Sequence, residues 1–462
     1  MNAAEIQHLY SRAGFGLALE EFNSKSKSRK KIVSKLFKSS ESNTDLKIDF
    51  SDLSSFFEEN TLIFKSEKDK TRVMKRTKLL REKTLEINFS WLDRMTTSDA
   101  VLREKMTLFW ANVFVCKDNN AVLALKYNNV LRKHALGDFG EFVKSIAKEP
   151  SMSKYLNNRQ NVKESPNENF ARELMELFTL GAGNYTECDI KESARAFTGW
   201  SFKKDGSFIL RKRRHDYGEK SFFRKKGNFG GDDIIDIILE QKQCARFICE
   251  KVYKYFVNPT INKEHIDELV NVFYGDYNIK KLMNHLFMSD WFYDKNNIGV
   301  KIKSPIELLV GIKKIVPYSF EKPRQQLYFQ TLMGQTPLDP PNVAGWKGDK
   351  NWIDSNTLMV RLKLASVLLN NSVINLDEKG DFEATFEKYY NREQNRKRFI
   401  KINRDWSSFD RAFAKKNYRE IKSVLLTAEL DKDTEEFIDN LKMENKRDYC
   451  VQLMSIPEYQ LC

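Results

Sequence analysis

Between Ser165 and Gly181 the sequence SPNENFARELMELFTLG places Glu168, Arg172, Glu173 and Glu176 at helical spacing, with Asn167 and Asn169 in the leading turn. Carboxylates on one helical stripe can exchange protons with a substrate, hold a cation, or pair with the arginine among them. A second polar pair, His215–Asp216, follows in a segment that breaks the helical rhythm, and His215 is one of only five histidines in the chain. An imidazole brought to two carboxylates would serve as acid and base, or hold a divalent metal. In that arrangement Glu173 and Glu176 are the acids or ligands and His215 carries the proton. Arg172 anchors an anionic group by a bidentate contact, and Asn167, Glu168, Asn169 and Asp216 complete the binding surface. The same residues also fit an ordinary amphipathic helix, because Glu168–Arg172 and Arg172–Glu176 are i,i+4 pairs worth about 0.2–0.5 kcal/mol each on an exposed helix. A backbone hydrogen bond would equally account for His215.

The local pattern says how this stripe is positioned. Ser165, Pro166 and Glu168 match a capping box with proline at the first helical position, and Gly181 matches a left-handed cap at the end. At 100° per residue, Phe170, Ala171, Leu174, Met175, Leu177 and Phe178 share the apolar side. The next segment, TECDIKESARAFTGW, starts with a Thr or Asp cap and ends at Gly199. WSFKKDGSFILRKRRHDYGEKSFF then alternates about an Asp-Gly turn signal, which predicts a small β-hairpin around residues 200–224 projecting from a helical body.

Few glycines and prolines, 19 and 10 in 462 residues, favour long helices over strands and turns, so the fold class is mainly α. Three regions are distinguishable along the chain: a basic helical region over 1–100, a core over 101–362, and a helical region over 363–462. The formal charge of +14 lies in runs, SKSKSRKK near residue 25, TRVMKRTKLLREK near 75, RKRR at 211–214 and NRKRF near 395. Such runs are solvated helix faces or a polyanion-binding surface, and nucleic-acid binding would need them on one face among exposed aromatics. The six cysteines form no CxxC pair and read as small buried residues. No stretch has the length of a signal-peptide core or a membrane span, which predicts a soluble, cytoplasmic chain with no transmembrane segment.

Other motifs read as architecture. His134 in LRKHALGDF suits a helix end, GNFGGDD a helix cap, and the two tryptophans of GWKGDKNW the packing of a proline-rich loop onto the body. GxSxG, HExxH, Walker A and dinucleotide-binding fingerprints are absent.

HLYSRAGFG, LREKMTLFW, LRKHALGDF, SPNENFARELMELFTLG, YTECDIKESARAFTGW, HDYGEKSFF, KSPIELLVG, MGQTPLDPPNVAGWKG, NWIDSNTLMVRL and PEYQLC, in that order, resemble the bacterial family known as domain of unknown function 1800. The resemblance implies a mainly helical fold and no established activity. It also implies a partner: genes of this family often neighbour a second family, domain of unknown function 1501, which is similar to sulfatases. Many members carry export signals. Where many have two histidines flanking an asparagine after the LFW tryptophan, this chain reads Trp110-Ala111-Asn112-Val113, and neither Ala111 nor Val113 has a donor atom for a metal. Three functions remain open: a non-enzymatic scaffold binding a protein partner, a metal-assisted or acid/base hydrolase, and a polyanion-binding module.

Overall fold

Helices dominate the computed structural model, which describes residues 1–16, 28–53, 67–370, 401–441 and 445–462. The basic run near residue 395 and the start of the one near residue 25 lie outside the described residues, as does part of the C-terminal helical region. The helix Val101–Val113 occupies the middle of the N-terminal half, wrapped by helices Ala3–Ala13, Arg29–Ser39, Glu67–Thr97 and Ala121–His134. It is buried at every position from Val101 to Trp110. A helix covered all round is normally apolar, yet this one carries Arg103, Glu104 and Lys105 in succession. At 100° per residue the three point to different neighbours, and each finds its partner there. Arg103 donates to the carbonyls of Ser40 and Arg132, both at 2.8 Å. Glu104 accepts from Arg132 at 2.8 and 3.1 Å, from Arg94 at 2.8 Å and from the Trp91 indole at 3.0 Å. Lys105 pairs with Glu307.

One turn further on, Trp110 donates to the Ala135 carbonyl at 3.1 Å and packs on Phe114, Phe139 and Phe142 with ring centroids 5.3–5.8 Å apart. His134 ends its helix stacked on Phe142. Buried apolar side chains from Leu9 to Tyr459 form one connected core. The proline-rich loop closes over it, with Trp346 and Trp352 buried and Asn112 exchanging hydrogen bonds of 2.9 and 2.8 Å with the Trp346 backbone.

Among the described residues the strands make three two-stranded antiparallel sheets. The expected hairpin is Trp200–Phe202 paired with Phe208–Leu210, and a second, Lys220–Phe222 with Lys225–Gly227, follows it. Two corrections follow. His215–Asp216 lies between the hairpins rather than inside one. The first hairpin lies along the body instead of projecting from it: Lys126 donates to the Gly206 carbonyl at 2.7 Å, and the turn packs on Leu123 and Pro150. No helix among the described residues is long and apolar enough to cross a membrane.

The Glu104 arrangement generates a stability prediction. Removing its carboxylate leaves Arg132 buried without its counter-charge, a change of about 3–5 kcal/mol for a buried pair. Denaturant unfolding of Glu104→Ala should show a loss of that size. A midpoint unchanged from the parent would mean that the pair holds nothing together.

Candidate functional site

The Ser-Pro-Asn-Glu segment does not form the expected capping box. Asn161 accepts the Asn167 N–H at 2.9 Å, and Asn167 in turn accepts the Asn169 N–H at 3.1 Å. These local bonds hold the chain in a turn, leave Ser165 exposed, and delay the helix to Asn169–Glu173. From Leu174 to Thr179 the helix widens to i→i+5 hydrogen bonding, with Thr179 Oγ1 donating to the Leu174 carbonyl at 2.6 Å and Leu180 N to Met175 at 2.8 Å. Such wide turns recur at functional positions. Gly181 then ends the segment in the left-handed region, φ +83°, as its position predicts. Phe170, Ala171, Leu174, Met175 and Phe178 are buried, so the apolar face is as expected.

On the polar face, Arg172 forms a fork with Glu187 at 3.0 and 2.9 Å and reaches Glu168 at 3.3 Å. The Glu187 hydrogen bonds hold the guanidinium protonated and the Glu187 carboxyl below its ordinary range. Glu176 accepts from the Tyr185 hydroxyl at 2.8 Å, and burial together with that carboxylate pushes the phenol up to about 12. Glu173 is half-buried and makes no hydrogen bond or ion pair with a described residue. Burial, then the neighbouring Glu176, raises its carboxyl above the usual range.

His215 and Asp216 are held by a different element, the helix Glu187–Ala196 and the turn after it. Thr186 and Asp189 cap this helix in a reciprocal box. Arg195 pairs with Asp216 at 2.8 and 3.3 Å and with Glu192 at 2.9 Å, while Glu192 also accepts from Ser221 N at 2.8 Å. Arg195 keeps the Asp216 carboxyl below its usual value. The buried His215 directs Nδ1 at the Thr198 carbonyl, 2.7 Å away, which makes Nδ1 the protonated nitrogen. Tyr217 packs edge-on against its ring. Gly199 sits where a Cβ would lie 2.8 Å from the Arg211 carbonyl, so only glycine allows this approach.

The structure thus brings Arg172, Glu173, Glu176 and Tyr185 together around one helix, and Asp216, Arg195 and Glu192 around the next. Asn167 and Asn169 organise backbone. Among the described residues no group of three His, Cys, Asp or Glu side chains is placed to hold a metal ion.

Sequence reasoning missed Glu187, Glu192 and Arg195. Their signal was available in the i,i+3 spacing of Glu192 and Arg195. It also missed Asn128, whose side-chain amide is fully buried with neither polar atom bonded to a described residue. Asn128 lines a cavity of about 20 Å³ with Trp91, Ala111, Tyr127 and Trp346. Ala111 therefore borders open space, while Val113 is core.

No curated protein and no solved structure matches the chain. The model of the family described as a protein of unknown function, DUF1800, matches residues 8–461. With nearly its whole length matched, this chain belongs to the DUF1800 family.

Proposed function

We propose that this protein is a non-enzymatic helical scaffold that binds an acidic face of a protein partner. The observation that carries this reading is the stretch from Phe208 to Tyr217. Phe208, Ile209 and Tyr217 are large, exposed and apolar or amphipathic. Between them Lys212, Arg213 and Arg214 stand exposed in a tight turn and make no ion pair with a described residue. Aromatic and arginine side chains on a rigid base are the usual anchors of a protein interface. The base is rigid here, because the hairpin is bonded down through Lys126 and the turn through Thr198 and Arg195. Most of the carboxylates in the neighbouring polar helices are already occupied by internal pairs, as a supporting framework requires.

The family resemblance points to the sulfatase-like proteins of domain of unknown function 1501 as the partner. The test mixes purified chain with a purified member of that family at micromolar concentrations and measures binding by calorimetry. A complex should form, and Arg213→Glu with Arg214→Glu should weaken it at least about tenfold, through lost charge complementarity. Absence of a complex would sink the partner, and a complex indifferent to the charge reversal would sink the surface. Equal or tighter binding to single-stranded nucleic acid, with a steep salt slope, would make this a polyanion-binding module instead.

A second reading, acid/base catalysis, rests on Glu173 alone: half-buried, raised, and beside Glu176 with no hydrogen bond or ion pair to a described residue. A carboxyl raised in the folded state binds its proton more tightly there, so the folded state loses stability as pH rises from the unfolded value through the folded one. Glu173→Gln should therefore raise Tm at neutral pH and change it little in acid. Under the scaffold reading that gain comes without loss of partner binding. Hydrolysis of a phosphate, sulfate or glycoside ester that disappears in Glu173→Gln would establish the catalytic reading.

A further inference from the structure

Away from the polar helices, five cationic side chains gather around one carboxylate. Arg12, Lys105, Lys301 and Arg361 are buried and Lys303 is partly buried, and all five act electrostatically on Glu307 or are acted on by it. Glu307 is committed on both oxygens: Lys105 holds one, and the Ser304 N–H donates to the other at 2.7 Å. Lysines 105 and 301 hold its carboxyl down, to about 2. The remaining cations have only neutral acceptors. Lys301 donates to the Tyr255 carbonyl at 2.5 Å and Lys303 to the Tyr459 carbonyl at 2.6 Å, and both lie over those tyrosine rings. Arg12 donates once, to the Asn297 carbonyl at 3.2 Å, and Arg361 once, to the Lys303 carbonyl at 2.6 Å. On each of these two guanidiniums Nε and Nη1 are buried with no partner among the described residues.

Beside this cluster is a cavity of about 30 Å³, lined among others by Gln7, Ser11, Lys303, Glu307, Tyr459 and Cys462. The Gln7 side-chain carbonyl and both polar atoms of the neighbouring Gln460 amide are also buried, with no partner among the described residues. Water in the cavity would satisfy hydrogen bonds and leave the charge. An unpaired ion costs several kcal/mol to bury even after relaxation, and here the positive groups outnumber the negative ones within reach. Besides Glu307 there is Asp349, acting on Arg12. Burial accordingly pushes both Lys301 and Lys303 down to about 8.

We propose that this cavity binds a small tetrahedral oxyanion of the phosphate–sulfate class, held by Lys303 in its wall and neutralised together with the buried guanidiniums of Arg12 and Arg361 beside it. A tetrahedral dianion offers acceptors in several directions. That suits donors lining the cavity from the helix Ala3–Ala13, through Gln7 and Ser11, and from Lys303 ahead of the helix Pro305–Ile315. The site is small enough to take the inorganic ion and to exclude a bulky ester. Once bound, the ion ties the first helix of the chain to its last described segment, which bridges Ile302 through Leu461.

The experiment uses the full chain, dialysed into chloride buffer. Acid-denatured protein is assayed for released phosphate and sulfate by ion chromatography, and the native protein is titrated with inorganic phosphate, sulfate, acetate and glycerol phosphate while Tm is followed. The expected result is either a near-stoichiometric resident oxyanion or a saturable rise in Tm with phosphate or sulfate that chloride at equal ionic strength does not give. Acetate and glycerol phosphate should act weakly. Lys303→Gln and Arg361→Gln should each weaken the apparent affinity at least about tenfold, the loss of one charged hydrogen bond. Because the anion needs protonated lysines, affinity should fall from about pH 7 to about pH 9.5 as Lys301 and Lys303 lose their protons. Protein that carries no oxyanion and does not respond to phosphate or sulfate beyond chloride would overturn the site, as would a response identical in both folded variants. If the variants do not fold, the resident ion and the titration of the parent protein decide the matter.

Discussion

Glu104 lies in the interior with no exposed surface, and a carboxylate survives there only if donors surround it. Its donors come from two other helices: Trp91 and Arg94 on Glu67–Thr97, and Arg132 on Ala121–His134. The geometry of one charged group therefore dictates where three helices meet. Its sequence neighbours extend the constraint, since Arg103 reaches the segment after Arg29–Ser39 and Lys105 reaches Glu307 at the start of Pro305–Ile315. Three consecutive charges on a buried helix fix the rotation of that helix about its own axis. Apolar side chains alone would tolerate several rotations, because hydrophobic contact is not directional.

The cationic cavity is a consequence of the same helix. Lys105 binds Glu307, and among the described residues Glu307 is then the only carboxylate buried beside Arg12, Lys301, Lys303 and Arg361. The architecture that solves the charge problem at Glu104 leaves a surplus of positive charge one turn of chemistry away. An exchangeable anion is a cheaper solution than a further buried carboxylate, since it enters only when the donors are in place.

At the polar helices the balance runs the other way. Arg172 with Glu187, and Arg195 with Asp216 and Glu192, are partly exposed pairs whose energetic value is small. Their value is positional. The Arg195 and Glu192 contacts hold the second hairpin and the turn after Lys212, Arg213 and Arg214, and Lys126 holds the first hairpin, so that a cationic, aromatic-flanked surface keeps one shape. Glu173 stands outside these pairs, where the helix widens.

Much of this was legible in the chain itself. Few glycines and prolines and sustained helical spacing specified a mainly helical fold, and Asp-Gly between alternating segments specified the first hairpin, because both depend on local backbone preferences. The burial of the tryptophans in GWKGDKNW, the place of His134 at a helix end and the capping role of Asp233 before Ile234 also follow from local chemistry. Distant partners decided the rest. The pattern Ser-Pro-x-Glu occurs at Ser165–Glu168 and again at Ser304–Glu307, and only the second forms a capping box. There Ile306 is fully buried and Lys105 draws Glu307 inward. At the first, Asn161 captures the backbone of Asn167 and turns the chain before a helix can begin. Likewise Arg-Glu-Lys at 103–105 reads as a wet face until the fold covers it. Local pattern determined which segments could be helical. Which charges are buried, and where helices start, was settled by partners tens or hundreds of residues away, since a buried polar group is stable only where the tertiary structure brings it a counterpart.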